Sequence, residues 1–151
     1  VFRKNVHKFI DRNLNHVFKY CDVSSLSERS ILDIVIEWLS NCQPDNEIYD
    51  DKVLLKYVKE GENRKVLIDE QKKVYGLNIW DSNYQYINFR YCFCKPGQFL
   101  SEYMRFLFYT DEEILSQNKL INDGGSLDNQ NLYNFKMKLN PFRIEKIYTY
   151  Y

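Results

Sequence analysis

The chain has 151 residues, 21 basic and 21 acidic side chains and therefore no formal net charge, with 44% apolar and 17% aromatic residues. This balance excludes a disordered chain, a collagenous or low-complexity one, and a globally basic nucleic-acid binder. No uncharged apolar run approaches the ~18 residues that a membrane span needs, and the length predicts one domain over residues 1–151.

The apolar positions Phe2, Val6, Phe9, Ile10, Leu14, Val17 and Phe18 recur every three or four residues and predict an amphipathic helix over 2–20. Ser25 and Glu28 fit a capping box, in which each side chain satisfies an orphan backbone N–H of the other residue. A second helix, apolar almost all round, follows over 26–41. Residues 43–51 read as a loop, with Pro44 ending the helix, and 52–59 as a short helix in preference to a hairpin strand.

From residue 65 the period becomes that of strands: 66–68, 74–80, and 84–94 after a turn at Asp81-Ser82-Asn83. Strict alternation in 84–94 places Ile87, Phe89, Tyr91 and Phe93 on one face, and Tyr84, Tyr86, Asn88, Arg90, Cys92 and Cys94 on the other. Lys95-Pro96-Gly97 breaks the strand, 99–109 reads as an inserted helix, and Asp111-Glu112-Glu113 as the acidic first turn of a short one. Residues 122–131 read as a loop, and 133–139 and 142–151 as closing strands. The expected class is α+β: an N-terminal helical pair on one face of a mostly antiparallel sheet, with a helix inserted before the C-terminal strands.

The zero net charge conceals blocks. Residues 1–21 carry +4, 22–62 carry −6 (four basic groups against ten acidic), 63–110 carry +3, 111–135 carry −4 and 136–151 carry +3. Blocks that stay together in space make patches able to steer a partner. The four cysteines, at 21, 42, 92 and 94, are expected to be reduced, since a chain of this size folds without bridges. Cys92 and Cys94 share a strand face, a spacing that suits neither a relaxed disulfide nor a zinc knuckle.

Catalytic motifs are absent: the sequence has no phosphate-binding glycine loop, nucleophile elbow or metalloprotease helix. His7 and His16, nine residues apart on one predicted helix, point to opposite faces and cannot chelate one metal. No metal and no cofactor is expected. Tyr84, Tyr86 and Arg90 could stack bases, but zero net charge leaves the phosphate-neutralising contribution weak.

One segment stands out. Asp45, Glu47, Asp50, Asp51, Glu60 and Glu62 are interleaved with Tyr49 and Tyr57. Tyrosine supplies rigid contact area and carboxylates steer and pair with Arg or Lys, the composition of a surface that covers a basic protein. Tyr84, Tyr86 and Arg90 are secondary candidates for the same contact. A small α+β chain of this kind is similar in type to the immunity proteins that bacteria make against contact-dependent or polymorphic toxins. That resemblance implies a cytoplasmic, non-enzymatic monomer or weak homo-oligomer whose acidic tyrosine segment plugs the active site of a basic toxin domain. The absence of a secretory apolar region in the first 20 residues agrees with that compartment. The alternatives are a motif-poor nuclease or effector enzyme using His7 or His16 with Arg90 or a carboxylate, and a host-interacting protein of an AT-rich virus or parasite.

Overall fold

A computed structural model describes residues 1–41, 51–60, 63–124 and 130–145. The class is α+β: five strands in the order β1 to β5, with helices packed on the sheet. The chain runs α1 (Phe2–Arg12), β1 (Lys19–Asp22), a short 3-10 turn, α2 (Glu28–Asn41) and α3 (Asp51–Glu60). It continues with β2 (Asn63–Ile68), β3 (Val74–Ser82), β4 (Tyr86–Cys94), α4 (Leu100–Tyr109), α5 (Glu112–Leu115), β5 (Leu120–Asn122) and α6 (Gln130–Met137). Strands β1 to β4 form an antiparallel meander, and β5 joins β4 in parallel.

The two faces of the sheet are covered differently. Ile31, Ile34 and Val35 of α2 and Val58 of α3 pack with Val66, Leu77, Ile79 and Phe93 on one face. On the other, α4 brings Leu100, Met104 and Phe108, and α1 packs on α4 through Phe9 on Tyr103, 4.6 Å between ring centres. The N-terminal helices thus divide between the faces.

The predicted helix over 2–20 is two elements. Asn13 ends α1, its amide side chain donating to Phe9 O at 2.7 Å and its N–H to Ile10 O at 3.0 Å. The aromatic and β-branched run Val17-Phe18-Lys19-Tyr20 is then recruited to the sheet edge, where Tyr20 lies opposite Leu67. The cap of α2 falls two residues later than the predicted box: Ser27 Oγ accepts from Ser30 N at 3.2 Å. Residues 133–139 fold mainly into α6 rather than a strand, and 142–145 are not strand, while 146–151 lie outside the described residues. The parallel strand β5 was not anticipated, because three residues carry no readable period.

The strict alternation predicted for β4 is also broken. Ile79 of β3 pairs with Tyr91, but the next residue, Trp80, pairs with Phe89, so Arg90 is an extra residue in β4. This bulge reverses the phase of the side chains. Ile87 and Phe89 pack with Trp80, Phe108 and Ile114 on the α4 face, whereas Tyr91 and Phe93 pack with the α2 face.

Close approach of α4 depends on Gly76. A Cβ there would lie 2.7 Å from Met104 Sδ and 3.0 Å from its Cγ, and Met104 is fully buried. Gly76→Ala is expected to cost about 1–3 kcal/mol by overpacking. Denaturant unfolding in a Met104→Ala background checks the cause, since most of the penalty should disappear there.

Candidate functional site

β4 and β5 pair only at Tyr86–Leu120, Ile87–Ile121 and Asn88–Asn122. β4 then runs on to Cys94 while β5 stops, so from Phe89 onward that edge of β4 has no strand partner among the described residues. Alternate backbone N–H and C=O groups along such an edge point away from β3 and can receive an extended molecule. The opening begins beside the bulge at Arg90, and bulges commonly re-aim side chains at functional sites.

Two polar clusters flank the opening, one per sheet face. On the α2 side, Asp81 accepts from Arg90 Nε at 2.5 Å and from Asn88 Nδ2 at 2.8 Å, and Asn122 Nδ2 donates to Asn88 Oδ1 at 3.2 Å. Burial alone would raise the Asp81 carboxyl, but these donors and the Arg90 charge more than offset it and hold it below its ordinary range.

Asp123, the next residue after Asn122, turns to the α4 side. It accepts from Arg105 Nε at 3.2 Å, Lys136 Nζ at 3.1 Å and the Tyr109 hydroxyl. The Arg105 guanidinium also lies between aromatic faces, 5.2 Å from the Phe89 ring centre and 4.8 Å from that of Phe135. Burial pushes the Asp123 carboxyl up, yet Arg105, Lys136 and Tyr109 outweigh it and leave it below its ordinary range. Burial first, and then the Asp123 charge, raises the Tyr109 hydroxyl, which stays protonated as a donor.

At the far end of the opening, residues 95–99 lead into α4. Phe99 adopts a left-handed conformation with φ 65°. Lys8 and Arg12 of α1 lie over its ring at 5.3 and 5.2 Å, and Arg12 donates to Gln98. Lys95 pairs with Glu37 at 3.4 Å. Glu102, in the first turn of α4, is held on Asn5 Nδ2 at 3.0 Å and Ser101 Oγ at 3.0 Å.

The sequence-predicted site is not this one. Asp45, Glu47, Tyr49, Asp50 and Glu62 lie outside the described residues. Asp51 and Tyr57 belong to α3, and Glu60 is exposed at its end. Tyr84 is 94% exposed at the tip of the β3–β4 turn, and Tyr86 opens β4. Of the secondary candidates only Arg90 sits at the opening. His7 is exposed on α1, whereas His16 follows that helix and stacks on Phe18. Among the described residues no three His, Cys, Asp or Glu side chains gather as a metal site, and no helix is long and apolar enough to cross a membrane. Asp81, Asp123 and Arg105 were missed because their grouping depends on the bulge and on β5.

No family model and no curated protein sequence matches the chain. Solved structures do. An aminoglycoside acetyltransferase from an uncultured soil metagenomic sample, crystallised with trehalose, shares the fold with a TM-score of 0.51 at 13% identity, over 94% of this chain and 97% of that one. A proposed acetyltransferase from Pyrococcus horikoshii aligns with a TM-score of 0.48 at 12% identity, over 82% of this chain, which spans only 42% of that protein. The end-to-end likeness to the first corrects the expectation of a non-enzymatic immunity protein: the architecture is one that an acetyltransferase uses.

The Asp123 cluster gives a pH signature. Its carboxyl has a depressed folded-state pKa, so its stabilisation is complete above the ordinary carboxylate range near 4 and is lost as pH falls through the lower folded value. Asp123→Asn is expected to cost about 3 kcal/mol at neutral pH by leaving Arg105 buried without its counter-charge. Urea unfolding followed from pH 7 to 3 should show a shallower acid loss in the variant than in the parent.

Proposed function

We propose that this protein is an acyltransferase that moves an acetyl-sized group from an activated donor to an amine. The observation that carries the reading is the open edge of β4 beyond the Arg90 bulge, in a fold shared along its length with an acetyltransferase. Acyl transfer needs the donor carbonyl polarised, the acceptor held in line and its proton removed. A strand edge serves the first need, because its outward N–H groups are preorganised donors that cost no reorganisation when negative charge develops on oxygen.

Coenzyme A is the common carrier of acyl groups, and bound here it would supply the activated thioester. The residues present suit its chemistry. Its linear amide arm matches an unpaired strand edge in the manner of β-augmentation. Its phosphates require cations, and Lys8 and Arg12 stand over Phe99 beside the loop into α4. The carboxylate of Glu102 is held by hydrogen bonds from Asn5 of α1 and from Ser101.

The acceptor reading rests on the α2-side cluster. Asp81 is the carboxylate hydrogen-bonded to the bulge residue itself. Held ionised, it accepts from an N–H of the acceptor amine and orients it, the amine attacking in its neutral form after its proton passes to solvent, while Asn88 and Asn122 offer further polar contacts. Asp123 and Arg105 act from the opposite face by fixing where β5 leaves β4.

Incubation of the purified chain with acetyl-coenzyme A and a panel of amines, aminoglycosides included, tests this by mass spectrometry of the acceptors. An acetylated amine is expected. Asp81→Asn should lower kcat/KM by about 100-fold by loosening the acceptor's position, and Arg12→Glu should raise the donor KM with little change in kcat. No donor binding by calorimetry and no acetylated product from any acceptor would sink the reading.

A further inference from the structure

Cys92 and Cys94 lie on the stretch of β4 that β5 leaves uncovered, and both point to the α4 face, partly exposed. Their Sγ atoms are 3.4 Å apart, in contact. The backbone between them is pinned: Phe93, 1% exposed, is buried on the other face with Trp38 edge-on at 5.1 Å and Tyr91 stacked at 5.4 Å. Their partners across the ladder are Asn78 and Gly76, so the residue paired with Cys94 has no side chain of its own, and Met104 packs over it. The two thiols are therefore held together by the fold.

We infer that Cys92 and Cys94 form a thiol pair that hydroperoxides oxidise reversibly to an intrastrand disulfide. The environment divides the roles. The hydrogen bond from Cys94 and then the Arg105 charge favour the Cys92 thiolate against burial, whereas the same hydrogen bond and burial hold the Cys94 proton on. The Cys92 thiolate attacks the peroxide oxygen and the O–O bond breaks. Cys92 becomes a sulfenic acid, and hydroxide leaves and takes up a proton. Cys94 then attacks Cys92 Sγ, loses its proton and displaces hydroxide, which leaves as water. Two thiols and one hydrogen peroxide give one disulfide and two waters.

Geometry makes this bridge reducible. Residues two apart on a strand have Cα atoms about 6.7 Å apart, near the upper limit of about 6.8 Å that disulfides span. Closing the sulfurs to about 2.0 Å pulls on β4 where its outer edge has no strand partner among the described residues. A strained bridge has a higher potential than a relaxed structural one, so ordinary dithiols open it.

The inference is independent of acyl transfer, and its test needs no substrate. The full-length chain is treated with hydrogen peroxide in the folded state, alkylated, digested and mapped. The expected result is a Cys92–Cys94 peptide lighter by two hydrogens and unalkylated, restored by dithiothreitol and unaffected by Cys21→Ser with Cys42→Ser. Cys94→Ala should instead yield a dimedone adduct on Cys92. Pairing of either thiol with Cys21 or Cys42, or full alkylation of both after peroxide, would overturn it. So would oxygen addition at Cys94 with no bridge.

Discussion

One extra residue in β4 organises this molecule. Without the bulge at Arg90, the alternation of the strand would send Ile87, Phe89, Tyr91 and Phe93 to a single face. With it, Phe89 joins Trp80 and Phe108 under α4, while Phe93 joins Val35 and Leu77 under α2. Each large side chain so buried contributes about 1.5–3 kcal/mol, and both halves of the core draw on the same strand. The bulge thus lets one strand serve two cores, and it lies beside the place where β5 leaves β4.

Asp123 holds that opening in shape. The chain reaches Asn122 in register with Asn88 and then turns away from the sheet toward Arg105, Tyr109 and Lys136. A carboxylate taken out of water is costly unless its charge and lone pairs are satisfied, and three donors from α4 and α6 satisfy this one. Asn122 and Asp123, adjacent in sequence, anchor clusters on opposite faces. The departure of β5 from β4 is therefore fixed on both sides, which is what a site built on an uncovered strand edge requires.

The class and most elements were legible from period alone: α2, α3, α4 and the strands β2 to β4 stand close to where their apolar spacing puts them. The misses share a physical cause. The helical spacing of Leu14, Val17 and Phe18 was accidental, since two asparagines at 13 and 15 and an aromatic run favour a turn and a strand. The bulge leaves no trace in hydrophobicity, because Arg90 is polar in either phase. Charge density drew attention to 45–62, whereas the clusters at the opening are assembled from β3, β4, β5, α4 and α6, and no local pattern joins them. The spacing of Cys92 and Cys94 puts them on one face, but their contact and their place on the stretch of β4 beyond β5 needed the fold.

Ligand binding on the edge of β4 beyond β5 should protect the outward amides of that strand. Amide hydrogen exchange of the full chain, with and without acetyl-coenzyme A, tests it most directly. Slowed exchange over residues 89–99, with β1 and β2 unchanged, is the expected result. Bound donor with unaltered exchange at Tyr91–Cys94, or protection confined to the acidic segment 45–62, would contradict it.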